Sequence, residues 1–158
     1  MVRRFWVAAL ILPWACATSQ PVGERSSSVD VVTADLPRLG TESAEALLAL
    51  RVNDLGAPTN LTEVDLSVDL QRVRVAVAFI SVDRLVASGA NETLRIRLPL
   101  SPRSFPAEVG DRIARGAGLE LVARGVVKGQ QAGRLVTLPF QVLRTVYPKE
   151  GEAPSEVR

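Results

Sequence analysis

Between Glu63 and Leu70 the chain reads Glu-Val-Asp-Leu-Ser-Val-Asp-Leu, an unbroken alternation of polar and apolar residues. A period of two places alternate side chains on opposite faces of an extended backbone, so this run predicts a half-buried strand with Val64, Leu66, Val68 and Leu70 inward. No helix can bury that set on one face. Arg72 to Phe79 and Thr93 to Leu100 repeat the pattern, the first with Val73, Val75, Val77 and Phe79 inward, the second with Leu94, Ile96, Leu98 and Leu100.

The inward parity changes from even to odd between the first two runs. Gln71 and Arg72 as a two-residue hairpin turn account for this, pairing Leu70 with Val73 and setting Asp69 across from Arg74. Further strands are expected at Val29–Ala34, Ala46–Asn53, Leu119–Val127 and Leu135–Val146, with the turn Lys128–Gly133 joining the last two. About seven short strands with frequent turn signals predict an all-β chain folded as an antiparallel β-sandwich.

One segment departs from the period. Phe105, Val109 and Ile113 recur every four residues behind a candidate N-cap at Ser104, and Gly116 stands where a helix stops. This predicts one short amphipathic helix with Glu108 and Arg112, and Asp111 and Arg115, paired on its exposed side.

The N-terminus has a different plan. Arg3 and Arg4 precede an apolar stretch from Phe5 to Leu12 and a small residue before Cys16, the only cysteine of the chain. That order matches a signal peptide over residues 1–15, and the apolar stretch is far short of the roughly 20 residues a membrane-spanning helix needs. Leu12-Pro-Trp-Ala-Cys16 resembles a bacterial lipobox, although Pro13 and Trp14 depart from its usual residues. The resemblance implies that Cys16 is lipidated and becomes the new N-terminus. Ala15-Cys16-Ala17 also fits the small-x-small rule of the ordinary signal peptidase, which would remove Cys16 and leave a soluble periplasmic or secreted protein. Residues 16–28 then form a polar tether, 29–146 the folded domain and 147–158 a polar tail.

The chain contains no histidine. With its one cysteine at the end of the leader, histidine-based triads, cysteine nucleophiles and the usual zinc sites lack their residues, and no cofactor or small-molecule substrate is indicated. Glu63, Asp65 and Asp69 read as solvated charge on a polar strand face. Nucleic acid is not an expected partner: without Arg3 and Arg4, 17 basic residues stand against 17 acidic ones, and Trp6 and Trp14 both fall in the leader. Arg72, Arg74, Arg95 and Arg97 are candidates for an anion-binding surface patch, against the plainer expectation of a solvated face with neighbouring acids. Leu47, Leu85 and Val86 are candidate outward apolar positions for contact with an envelope protein.

Ala46-Leu-Leu-Ala-Leu-Arg-Val-Asn53, Leu98-Pro-Leu100, the Phe105–Gly116 helix and Gly125 followed by Thr137-Leu-Pro-Phe140 together resemble the group 2 late-embryogenesis-abundant family, which carries the water-stress and hypersensitive-response domain. The likeness spans roughly Val29 to Val146. It implies an immunoglobulin-like or fibronectin III-like sandwich, a non-enzymatic role in binding, scaffolding or desiccation and envelope stress, and attachment as a lipoprotein of the cell envelope, in the outer membrane and facing the periplasm. The alternative expectation is an accessory subunit of an envelope assembly such as a secretion, pilus or transport apparatus.

Overall fold

The computed structural model describes residues 27–39, 43–53 and 55–148. Cys16, the leader, most of the tether and the tail beyond Pro148 lie outside the described residues. Seven strands, one 3-10 turn and one helix follow in the order β1 (Ser28–Leu39), β2 (Ala44–Asn53), β3 (Thr59–Leu70), β4 (Val73–Val86), β5 (Glu92–Leu100), α1 (Ala107–Ala114), β6 (Leu119–Gln131) and β7 (Arg134–Val146). They form two antiparallel sheets, ordered β1-β2-β5 and β4-β3-β6-β7. The expected seven-stranded sandwich with one helix is therefore the observed architecture.

The core lies between the sheets. Val64, Leu66, Val68 and Leu70 of β3 are all buried there, facing Leu48, Leu50 and Val52 of β2 and Leu94 to Leu100 of β5. Each such side chain contributes about 1.5–3 kcal/mol by leaving water, and with no cysteine among the described residues this burial holds the domain together.

The β3–β4 hairpin forms as the parity change requires. Leu70 pairs with Val73 and Asp69 with Arg74, and Gln71 and Arg72 have φ of 49° and 68°. Positive φ at both central residues is the type I′ pattern, whose twist matches that of the flanking strands. The hairpin twist outweighs the poor preference of these two residues for that region. The β6–β7 turn is tighter than expected: both strands extend until only Ala132 and Gly133 remain between them, again at positive φ.

The continuation of β4 corrects the sequence expectation. Beyond Arg74 the ladder slips by one residue, so Val68 pairs with Ala76 and Val75 is left as a bulge. An extra residue reverses which face each later side chain takes. Ala76, Ala78 and Ile80 therefore pack on the core, while Val77 and Phe79 are exposed by 55% and 74%. Val73 is also exposed, and Val75 only half-buried.

Helix α1 begins later than expected. Its N-cap residue is Pro106, and Ser104 instead donates its hydroxyl to the Ser101 carbonyl within the preceding 3-10 turn. Val109 is buried, with Phe105 and Ile113 packed beside it. At its end Ala117 N–H donates to Arg112 and Gly116 N–H to Ile113, with Gly116 at φ 62°. This is a Schellman motif, and Gly116 supplies the left-handed residue that it needs. Glu108 and Arg112 form the expected pair at 3.6 Å, whereas Arg115 donates to the backbone carbonyl of Asp111 and not to its carboxylate.

Candidate functional site on the outer face of the four-stranded sheet

The residues of β3 that do not enter the core, Asp65, Ser67 and Asp69, form the middle of an outward face. Register extends each into a row across the sheet. Phe79, Asp65, Val126 and Pro139 lie side by side, then Val77, Ser67, Arg124 and Gln141, then Arg74, Asp69, Val122 and Leu143. The bulge at Val75 is what brings Val77 and Phe79 into these rows. On the β4 margin Val77 and Phe79 adjoin Arg74, and on the β7 margin Pro139 and Leu143 flank Gln141, with Asp65, Asp69 and Arg124 between them.

The charges are paired. Asp69, only 10% exposed at its side chain, accepts from Arg124 Nη2 at 2.7 Å and from Arg74 Nε at 3.3 Å. Lys128 Nζ donates to Glu63 Oε1 at 2.7 Å and also reaches Asp65 Oδ2. The hydrogen bond from Lys128 holds the Asp65 carboxyl below the usual carboxylate range, with partial burial opposing it and a bond to Glu63 adding to it. The same bonds, that to Asp65 foremost, raise the Lys128 ammonium above its usual value. Asp65 Oδ1 is buried and has no protein partner.

Between the rows lies an open depression of about 310 Å³ lined by Asp65, Ser67, Arg74, Val77, Phe79 and Arg124, with Gly125 in its floor. Gly125 cannot be larger. A Cβ there would stand 2.0 Å from the Asp65 carbonyl oxygen and 2.9 Å from Leu66 Cα. The close approach of β3 and β6 thus fixes the floor on which the charged side chains meet. Asp69, Glu63 and Asp65 are each engaged by a cation, so the charged side chains around the depression are held in place by one another. Among the described residues no group of acidic, histidine or cysteine side chains is placed to hold a metal ion.

The four arginines proposed as an anionic-surface patch are divided between the sheets. Arg72 lies in the β3–β4 turn, 4.0 Å from Glu120, and Arg74 is held by Asp69 on the outer face of the four-stranded sheet. Arg95 and Arg97 lie on β5, exposed on the outer face of the other sheet, with Arg97 4.0 Å from Glu45. The structure brings together the members of each pair but not the two pairs. Of the outward apolar candidates, Leu85 is exposed by 77% and Leu47 is half-buried on the outer face of β2, whereas Val86 belongs to the core.

The sequence gives none of Arg124, Lys128, Val77 and Phe79 a place in a site: alternation sets Val77 and Phe79 inward and the turn signal sets Lys128 in the β6–β7 loop, whereas Val77 and Phe79 are exposed and Lys128 lies within β6. Arg124 and Lys128 share the parity of Glu120 on β6 and so could be placed outward, but their acidic partners lie more than 50 positions earlier in the chain. Only the register of β3 with β6 connects them.

No family profile and no curated protein matches the chain by sequence. Solved structures do match it in shape. A crystal structure of a protein from Archaeoglobus fulgidus superposes with a TM-score of 0.56 at 17% identity, over 78% of this chain and 98% of that one. The solution structure of AT1g01470 from Arabidopsis thaliana superposes with a TM-score of 0.63 at 13% identity, over 89% of this chain and 93% of that one. At these identities the likeness is one of fold.

Proposed function

We propose that the chain is an exported, lipid-anchored β-sandwich of the water-stress and hypersensitive-response type that acts by binding or scaffolding in the bacterial envelope, without catalysing a reaction. The observation that carries the binding role is the outer face of the four-stranded sheet, where exposed Phe79 and Val77 border a shallow depression with charged side chains fixed around it. A contiguous apolar margin beside ordered polar groups is the usual composition of a contact surface. The absence of histidine from the chain supports the non-enzymatic reading.

The anchor rests on Cys16 and the lipobox-like residues before it. Three acyl chains, as the lipobox resemblance implies, exceed the two signals that suffice for stable attachment. The polar tether from Ala17 to Ser27 would hold the domain at most about 36 Å from the membrane, at about 3.3 Å per residue. Mass spectrometry of the mature N-terminus tests this directly. A diacylglyceryl-modified Cys16 is the expected species, and an unmodified N-terminus at Thr18 would overturn the anchor while leaving the domain in the periplasm.

A second reading, an accessory subunit packed permanently into an envelope assembly, is favoured by one observation, the large exposure of Leu85 on β4. Purification from envelope membranes separates the two, since a permanent subunit brings stoichiometric partners and the first reading does not require them.

A further inference from the structure

The two sheets have four marginal strands, β1 and β5 in one and β4 and β7 in the other. A marginal strand offers a row of backbone donors and acceptors to any strand that approaches, and proline is one of the means by which proteins close such a margin. β1 contains Pro37, β5 contains Pro99 and β7 contains Pro139. β4, at 14 residues the longest strand, contains none.

Its middle is also regular and uncharged. From Ala76 to Ser81 the ladder with β3 runs without a break, between the bulge at Val75 and a second irregularity before Arg84. The eight residues Val75–Val82 read Val-Ala-Val-Ala-Phe-Ile-Ser-Val. The two sides of the sandwich differ as well. β1 packs along β7 on one side, while on the other β4 and β5 flank an open cleft of about 500 Å³ with Ile80–Arg84 and Glu92–Ile96 as its walls.

We propose that β4 is a self-association edge, at which two copies of this chain pair antiparallel about a two-fold axis and join their four-stranded sheets into one. Residues facing each other across an antiparallel pair share a face, which restricts the register. An axis through Ala78 satisfies it: Val77 of each copy lies opposite Phe79 of the other on the outer face, and Ala76 lies opposite Ile80 on the core face. Aromatic and β-branched side chains are a favourable cross-strand combination. The uncharged run is bounded at one end by Arg74, which Asp69 already holds, and at the other by Asp83 beside Arg84, so neither end carries a net excess of one sign to oppose the pairing. The added strand also lies over the mouth of the cleft between β4 and β5. Isologous contacts of this kind close on themselves and yield a dimer, not a filament.

A second copy suits this edge better than the chain's own remaining segments. Residues 17–26 and 149–158 are polar and lack the apolar alternation that would continue the sheet.

The full chain, exported and retained in envelope membranes, provides the test. The two Phe79 positions are diagonal neighbours about 7–8 Å apart, beyond the reach of a disulfide, so cross-linking of Phe79→Cys with a short bismaleimide should give a species of twice the monomer mass on a denaturing gel. Leu143→Cys, exposed on the same face but on the opposite margin, should give none, as should the unsubstituted chain. In a second arm that needs no introduced cysteine, Val77→Lys with Phe79→Lys should lower the dimer fraction at least tenfold in sedimentation velocity in detergent, with the far-ultraviolet circular dichroism spectrum unchanged. A Phe79→Cys chain that stays monomeric, that joins a different protein, or that dimerises no better than Leu143→Cys overturns the proposal. The outcome is independent of the anchor, because a periplasmic form with its N-terminus at Thr18 can be put through both arms.

Discussion

Arg124 donates to Asp69 at 2.7 Å from the neighbouring strand, and Asp69 is the most enclosed carboxylate of the outer face. Since the two arginines that hold it keep about half of their own side-chain surface in water, the network is a partly screened one. Removing the acid leaves both cations able to turn toward solvent, whereas removing Arg124 strips an enclosed carboxylate of its shorter bond. Asp69→Asn is therefore expected to cost about 1 kcal/mol and Arg124→Ala about 2 kcal/mol in urea unfolding. Equal and negligible costs would show that the pairs contribute nothing.

Gly125→Ala places a methyl group against the backbone of β3, which cannot move without disturbing the pairing of Leu66. About 3 kcal/mol of destabilisation is expected, at the upper end of what overpacking usually costs. The same substitution at Gly110, where a Cβ meets nothing, should be neutral or stabilise the helix by up to about 1 kcal/mol. Thermal melts of the two variants make the comparison.

At the β3–β4 turn, Gln71→Asn with Arg72→Gly supplies residues that adopt positive φ readily. Arg72 gives up only an exposed contact with Glu120 at 4.0 Å. The pair should raise stability by about 1 kcal/mol, visible as a higher denaturant midpoint at unchanged slope.

The face assigned to Phe79 has a simple energetic signature. On the outer face of a monomer, Phe79→Ala should change unfolding free energy by less than about 0.5 kcal/mol. The inward position expected from alternation alone would make it cost about 3–5 kcal/mol. Measurement below the concentration at which copies associate distinguishes the two.

The Lys128 pair sets limits at both ends of the pH scale. Asp65 is held below its reference of 3.8, so its stabilisation is complete above that value and is lost as pH falls through the depressed one. Lys128 is raised above 10.5, so its contribution is present below that value and disappears as pH climbs through the raised one. Melting temperatures of the native chain and of Lys128→Met should differ by a constant amount near neutral pH. The difference should shrink below pH 3.8 and again above 10.5. A gap as large at pH 2 as at neutral pH would mean that Lys128 acts through packing.

What the sequence disclosed followed the contrast between neighbouring residues. Glu63 to Leu70 alternates charge with aliphatic carbon, and its faces can be read at sight. The Asp69–Arg74 pairing was also accessible, because a parity change across two residues permits little besides a tight turn. Beyond Arg74 that contrast disappears. Val75, Ala76, Val77, Ala78, Phe79 and Ile80 are all apolar, so either phase satisfies alternation, and the observed one sets Ala76 opposite Val68 and Ala78 opposite Leu66. The charge network was hidden for another reason: the sequence gives the parity of Arg124 and Lys128 but not the neighbour of β6, and without β3 beside it neither cation has an acid to meet.

The bulge at Val75 also bears on how this chain is to be aligned with others. Loss of that one codon would not shorten a loop. It would remove the bulge while leaving Asp69 paired with Arg74 and Val68 with Ala76, so that Val77 and Phe79 stay outside and the two alanines inside. A single-residue gap at this position in a homologue therefore signals a straightened strand with the same exterior, where every flanking residue is identical.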